Sequence, residues 1–581
     1  MSYSNITSLY KKKGSRLLLE NDRGIFIQNV FKKILDKLIY SENVESIDAN
    51  MSDSNIGARK GRNIKDHLFI LYAVINSVVR GEEDSIDVQV YDIQKAFDAL
   101  WLDDCFNDLF DSLPTEKRND KISLLYETNV RNLIAVNTPA GLTERVDMPK
   151  IIQQGGVWGS LLCSNSIDSI GRKCKLSGNY AYKYKNMVEV LPLGFVDDLN
   201  GIAKCGPESL HLNIFLNTHV EMKKLTFHTS TLSSASKCQK MHVGKNRSNC
   251  PNLKVHGNDM SEVSEITYLG DVVSADGRNF KNIQERSKKG MGIICQVIKI
   301  LKTVFFGSKR IEIALLLRES IFVNAILTNS EIWHNLSKSE TDELEKVDRF
   351  LLCKILEVPG TVPHTALYLE LGILQLSVVI KVRRLMYLQS ILKGSNDGML
   401  FKVFKTQWYY PVKGDWTDLV KNDLENFDYN LDEIKLMSRD QFKKIVKERA
   451  RNYAFQSLHR KKANYKKLEN LFYVELKTQE YLLNEDYTFE EKKLIFQFRT
   501  RMAQFEENFR AGRTETVCPL CLSHSDSQFL ILSCPIIRKE LLKNKEVEVQ
   551  SIEDIFYEKV SRNTINILKL ATAMRSIKKK L

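Results

Sequence analysis

The chain lacks any stretch near the ~18 uninterrupted apolar residues that a membrane-crossing helix needs. Its most apolar segments, Ile311 to Leu327 and Leu371 to Ile380, are broken by Glu, Arg, Asn or Gln. The N-terminus has no apolar core and no small-residue cleavage site, and it carries Lys11, Lys12 and Lys13 instead, so no secretory signal is read there. Cysteine is sparse, 11 in 581 residues, and only Cys518, Cys521 and Cys534 are grouped. No disulfide framework is expected. Reduced thiols in an intracellular protein, nuclear or cytoplasmic and not secreted, are. There is no internal repeat and no long low-complexity tract.

What the chain does have is basic charge. Lysine and arginine number 85 against 72 acidic residues, a net charge of +13, which suits a polyanionic partner because cationic side chains release counterions when they neutralise phosphates. A hydrophobic fraction of 43% allows a sizeable core. Residues 1–250 alternate short β-rich runs with helical patterns, punctuated by Gly and Pro, and read as α+β or α/β. Residues 280–510 are poor in proline and rich in Leu, Ile, Lys and Glu at helical spacing, as in Ile313, Leu316, Leu317 and Ile321, and read as mostly helical. A turn-rich junction lies at 248–259.

The chemistry-bearing signal is acidic. An alternating run, Ile86, Val88, Val90, leads into Asp92, and Lys95-Ala96-Phe97-Asp98 follows. Further on, Leu193-Gly194-Phe195-Val196-Asp197-Asp198-Leu199-Asn200 has two apolar runs flanking an acidic pair, the pattern of a hairpin with carboxylates at its tip. Nucleotidyl transfer needs such a group: two Mg2+ ions, ~3.5–4 Å apart, stabilise the attacking and leaving oxygens, and Mg2+ takes hard oxygen ligands. Asp92 and Asp197 are the expected bridging ligands, with Asp198 beside them. Taken alone, an Asp-Asp turn is usually a solvated turn; the order of the motifs makes the difference.

Those motifs resemble the palm of reverse transcriptases, specifically the non-LTR (LINE or jockey-like) retrotransposon group. Between the two acidic segments lies the expected Gln-Gly loop, Gln154-Gly155-Gly156-Val157-Trp158-Gly159-Ser160-Leu161-Leu162, with Ser160 where relatives have proline. Upstream, Asn21-Asp22-Arg23-Gly24-Ile25 and Gly57-Ala58-Arg59-Lys60-Gly61-Arg62 resemble two fingers motifs. Downstream, Ser236-Lys237-Cys238 resembles the lysine-bearing motif and Tyr268-Leu269-Gly270 the primer-grip turn.

The resemblance implies an α+β, right-hand polymerase fold with fingers and palm over 1–250. A thumb would follow over 251–330, then a helical region over 331–510 that is a candidate for nucleic-acid binding. It implies RNA-directed DNA synthesis from a primer 3′-OH, with an RNA template, a DNA primer or target, dNTPs and two Mg2+ ions, and no membrane partner. Asp92, Asp197 and Asp198 would hold the metals. Lys237 would lie near the leaving pyrophosphate and protonate it. Arg23 and Arg59 would contact the triphosphate. Phe97 would sit under the sugar and exclude a 2′-OH, and Gln154 and Gly155 would position the nucleotide. The departures are Phe195 for tyrosine, Val196 for a smaller alanine, and Ala58 for an aromatic; none removes a metal ligand.

A basic band runs through Lys443, Lys444, Lys447, Arg449, Arg451, Arg460, Lys461, Lys462, Lys466 and Lys467, with Phe442, Tyr453, Phe455 and Tyr465 interleaved. Its two readings are phosphates tracked by the charges with bases stacked on the rings, and an amphipathic helix with buried rings and a solvated basic face. The acidic residues Glu331, Asp342, Glu343, Glu345 and Asp348 read as helix surface rather than as a nuclease site. Near the C-terminus, over 511–540, Cys518, Cys521 and Cys534 resemble the zinc knuckle of non-LTR elements, but Phe529 stands at the histidine position. The module reads as degenerate; should zinc bind, Cys518, Cys521, His524 and Cys534 are its ligands. A last helix with a basic tail occupies 541–581. The sequence begins at the first fingers strand without an endonuclease ahead of it, and the expectation is a truncated copy, a fragment of a longer product or a host-retained gene. The alternative to an enzyme is a retroelement relic that only binds nucleic acid.

Overall fold

The computed structural model describes residues 2–580 apart from 13, 19–20, 131, 149, 151, 230–235, 248–249, 305, 335, 510–516, 544–551 and 558, and apart from the side chains of 2 and 578–580. The side chains of the basic tail residues Lys578, Lys579 and Lys580, and residues 510–516 ahead of Cys518, therefore lie outside the described part. The chain forms two compact units, Met1–Asn279 with Ile391–Asp418, and Phe280–Ser390 with Leu419–Leu581.

All described strands belong to the first unit. One sheet orders Asp22–Gln28, Ser2–Tyr10, Asn132–Thr138 and Gly141–Leu142, with Val146–Asp147 also on the third strand; it is the fingers sheet. The second orders Ser261–Glu262, Gln239–Val243, Ile86–Asp92, Asp198–Lys204 and Leu193–Phe195. Its central strand, Ile86–Asp92, is antiparallel to both neighbours. This is the palm, and the α+β polymerase fold expected from the motifs is the fold observed.

The central palm strand alternates. Ile86, Val88, Val90 and Asp92 face one side, and Asp87, Gln89 and Tyr91 the other. Both sides are buried along most of its length. The second face meets helix Pro207–Met222, whose proline stands in the first turn, where its missing N–H costs nothing. Gln89 donates to the carbonyl and hydroxyl of Ser209 at 2.9 and 3.0 Å, Tyr91 donates to Gln89 at 2.6 Å, and Asn213 to Tyr91 at 2.8 Å. These polar groups are satisfied inside the layer, as buried polar groups must be. A second helix, Gly159–Ser177, grows directly out of the Gln-Gly loop and closes at Gly178, φ +66°, a left-handed cap that glycine adopts without strain. The core between sheet and helices gathers Tyr91, Ile93, Leu199, Cys163, Ile167, Leu212 and Phe227.

The first unit runs past the turn-rich segment at 248–259 to Asn279, because Ser261–Glu262 pairs with the palm edge strand Gln239–Val243. In the hairpin Glu265–Tyr268/Asp271–Ser274, the two turn residues Leu269 and Gly270 have φ +45° and +87°, the double positive φ of a tight hairpin.

The second unit is helical. Helix Lys338–Leu356 starts on a reciprocal cap between Ser337 and Glu340, worth about 1 kcal/mol. The expectation that Glu331, Glu345 and Asp348 form helix surface is corrected: all three are buried. Asp348 pairs with the fully buried Arg318 at 2.7 Å, and Glu345 accepts from Tyr368 at 2.7 Å. Sequence periodicity could not anticipate this, because an arginine some thirty positions away supplies the partner. Glu370 is likewise buried, accepting from Tyr473, Tyr481 and Arg499 at 2.6 to 3.1 Å. Among the described residues, no single helix is long and apolar enough to cross a membrane.

Candidate active site

The palm strands set the site. Asp198 is the direct cross-strand partner of Asp92, and paired positions project to the same face. Asp197 precedes it in the two-residue turn Val196-Asp197 that joins Leu193–Phe195 to Asp198–Lys204. Its carbonyl faces the amide of Ile93 at 3.4 Å, so all three carboxylate-bearing residues gather at one end of the sheet. Val196 sits at φ +58°. A β-branched residue there is strained, and such strain persists only where the surroundings over-determine it.

The surroundings are a short fingers segment. Gly194 donates to the carbonyl of Ser54 at 2.6 Å, and its own carbonyl accepts from Ile56 at 3.1 Å. A Cβ on Gly57 would lie 2.6 Å from the Ser164 hydroxyl and 2.7 Å from the Val196 amide, so only glycine fits against the turn. Asn55 donates to the carbonyl of Ser164 at 2.9 Å. The carboxylate turn is thus braced by residues 54–57. The sequence held one trace of this brace, the glycine of the second fingers motif.

The site is electrostatically crowded. Asp197 is raised above its ordinary value, chiefly by burial and then by Asp92, while Lys237 and Arg23 oppose the rise. Asp198 is raised to about 6, by burial, then Asp197, then Asp92. Like charges gathered in a partly buried site favour protonation until a cation arrives. The Lys237 ammonium lies 3.0 and 3.2 Å from the two carboxylate oxygens of Asp92. Asp92 and Asp198 on adjacent strands and Asp197 in the turn supply hard oxygen donors, the class of ligand Mg2+ takes.

The expected nucleotide contacts divide. Arg23 is exposed on the fingers strand Asp22–Gln28, and its charge reaches Asp197. The Gln-Gly loop lies along the same strand, with the Gln154 carbonyl accepting from Phe26 at 2.8 Å. Gly155 has φ +94°, and a Cβ there would touch the Phe26 carbonyl at 3.4 Å. Phe97 packs half-buried at the edge of the palm core, its carbonyl accepting from Ile152 at 2.7 Å.

Arg59 departs from expectation. It is buried, and its guanidinium donates to the Asp48 carboxylate at 2.6 Å and to the carbonyls of Ser52, Asn55 and Asp48 at 2.6, 2.8 and 2.8 Å. With these four bonds the fork holds the bracing segment, so in this structure Arg59 is a clamp behind the turn and is not presented to a triphosphate.

At the other end of the chain, the Cys518, Cys521 and Cys534 sulfurs lie within 4.8 Å of one another. His524 Nδ1 is 3.7 Å from the Cys521 sulfur. Burial raises the Cys521 thiol, but hydrogen bonds from Ser523 and His524 bring it down to about 5. Phe529 is used for packing, stacked on Phe556 at 5.8 Å. Three sulfurs therefore converge, while His524 approaches only Cys521 and does not complete a four-donor group with the other two.

In the basic band, helix Arg439–Lys462 buries Phe442, Val446, Ala450, Ala454 and Leu458, one apolar stripe at four-residue spacing. Arg449 and Arg451 donate to the carbonyls of Phe427 and Leu476, both at 3.0 Å, and so serve packing. Lys443, Lys444, Lys447, Arg460 and Lys461 are exposed. The helix is amphipathic with an exposed basic face; Phe442 is buried, Tyr453 and Phe455 are half-buried and Tyr465 is exposed.

Residues 10–273 match the family model described as reverse transcriptase (RNA-dependent DNA polymerase). No curated protein matches the chain. Among solved structures, apo telomerase from Candida tropicalis is similar at 10% identity and a TM-score of 0.35, covering 69% of each chain. Telomerase from Candida albicans, in complex with a fragment of telomeric RNA, is similar at 11% identity and a TM-score of 0.34, covering 61% of this chain and 63% of that one. Candida tropicalis telomerase truncated of its C-terminal domain shows 10% identity and a TM-score of 0.30, covering 47% of this chain and 54% of that one.

Proposed function

We propose that this chain, whose residues 10–273 form a reverse transcriptase domain, is an active RNA-directed DNA polymerase that extends a primer 3′-OH with dNTPs. The observation that carries the reading is the pairing of Asp198 with Asp92 across two palm strands, with Asp197 in the adjoining turn. When bound, two Mg2+ ions would stabilise the attacking and leaving oxygens of an in-line displacement. Asp92, Asp197 and Asp198 would hold the ions.

The remaining residues bind and orient. Arg23 offers a guanidinium fork to the triphosphate. Gln154 and Gly155 line the nucleotide's approach, and Phe97 stands beneath its sugar and disfavours a 2′-OH. Lys237 is held beside Asp92 by charge, and in the loaded site its ammonium turns to the departing pyrophosphate and supplies the proton. The exposed lysines of Arg439–Lys462 hold nucleic acid by phosphate contacts. The module at Cys518, Cys521 and Cys534 stays a degenerate knuckle in this reading, with His524 the candidate fourth zinc ligand. The finer identity, a non-LTR retrotransposon protein acting inside the cell, rests on the spelling Lys95-Ala96-Phe97-Asp98 and on the ordered motifs around it.

Primer extension on an RNA template with dNTPs and Mg2+ tests the reading. Extension is the expected result. Retained RNA binding without extension would replace it with the binding relic.

A further inference from the structure

The sheet that carries three aspartates at one end carries a second constellation at the other. Asp87 stands five positions before Asp92, about 17 Å along the strand at roughly 3.3 Å per residue. The odd separation puts it on the opposite face. Its cross-strand partner is His242 on Gln239–Val243, with His242 Nδ1 3.0 Å from Asp87 Oδ1. Cys205 follows the last residue of the other neighbouring strand, Asp198–Lys204, and its amide donates to the carbonyl of Ser85 at 2.9 Å. The loop after Gln239–Val243 returns Cys250 to the same place, its sulfur 2.7 Å from that of Cys205 and 3.3 Å from His242 Nδ1. One donor atom from each of the four lies within 4.8 Å of the other three.

None of these residues takes part in the chemistry proposed above. A histidine–aspartate pair alone is an ordinary core hydrogen bond, and two adjacent thiols alone are an ordinary disulfide pair. Neither explains why both pairs converge on one point. Two sulfurs, an imidazole nitrogen and a carboxylate oxygen are the donors of a closed, four-coordinate zinc site. The support around them has the same character. Ser209 donates its hydroxyl to the second Asp87 oxygen at 2.7 Å and accepts from Gln89 at 3.0 Å, which fixes the carboxylate as outer-shell partners fix metal ligands. Asp87 and His242 are fully buried.

We propose that Asp87, Cys205, His242 and Cys250 form a structural zinc site that clamps three adjacent palm strands at the end remote from the catalytic aspartates. The clamp ties the end of Asp198–Lys204 to the start of Ile86–Asp92, the same two strands whose register sets Asp198 opposite Asp92.

The test uses the full chain carrying Cys518→Ser, Cys521→Ser and Cys534→Ser, which removes the other thiol group. After dialysis against metal-free buffer, elemental analysis is expected to find about one zinc per chain. Adding Cys250→Ser should lower that content at least ~tenfold, and Cys250→His should restore it. Cobalt(II) added to the folded chain before the fourth change should give a tetrahedral spectrum with thiolate charge-transfer bands, a readout that needs no further variant. Absence of both zinc and the cobalt spectrum would overturn the proposal. So would zinc content unmoved by Cys250→Ser, or a Cys205–Cys250 disulfide in the non-reduced peptide map.

Discussion

Asp198 carries the clearest titration signature. Its folded value of about 6 lies above the ordinary 3.8, so between those values the folded metal-free protein binds more protons than the unfolded chain. Its contribution to stability is therefore present below about 3.8 and lost as pH rises toward 6. Mg2+ binds the ionised carboxylates, so its stabilising increment should grow across that window and level off above it. Melting temperatures with and without Mg2+ across the window check this; an increment flat in pH would contradict the crowding.

The two fingers arginines separate by experiment. If the proposed function holds, Arg23→Ala removes a charged contact to the triphosphate worth about 1.5–3 kcal/mol, so KM for dNTP should rise roughly 10- to 100-fold with urea stability unchanged. Arg59→Ala should leave KM nearly constant and lower unfolding stability by about 2 kcal/mol, because its bonds run to Asp48, Ser52 and Asn55. The motif gave both arginines the same reading. Sequence carries the residue type but not its burial, and burial decides here: Arg23 is exposed and Arg59 is not.

At the scale of elements, the carboxylate hairpin depends on the segment that braces it. Gly57→Ala would place a methyl group 2.7 Å from the Val196 amide, and a displacement of about 1 Å at a reacting centre costs on the order of 100-fold. The variant should bind RNA normally and lose about that factor in kcat. Wild-type kcat would show that the brace does not position the turn. The hairpin itself was legible because apolar runs flanked an acidic pair, and the palm strand because it alternated. The brace was not, since the bonds of Gly194 to Ser54 and Ile56 run backbone to backbone, and the side chains of Asn55 and Arg59 reach carbonyls that no residue pattern announces. The same holds for Asp87, Cys205, His242 and Cys250, which stand far apart in sequence and meet only because three strands are adjacent.

For the whole molecule, the net charge of +13 predicts salt-sensitive binding to nucleic acid. Changing Lys443, Lys444 and Lys447 to Gln removes three exposed cations. The slope of log affinity for single-stranded RNA against log salt should fall by about 2. An unchanged slope would place the phosphate contacts elsewhere.

The account turns on Asp92, Asp197 and Asp198 acting together on metal ions. Single-nucleotide extension of a primer on an RNA template, with Mg2+ and dNTP, comparing wild type with Asp197→Asn, tests it most directly. Asp197→Asn keeps the side chain's shape and removes a charge from a crowded site, so the variant should fold and bind RNA as wild type does. The account predicts extension by wild type and none by the variant. Equal extension by the two proteins would contradict it.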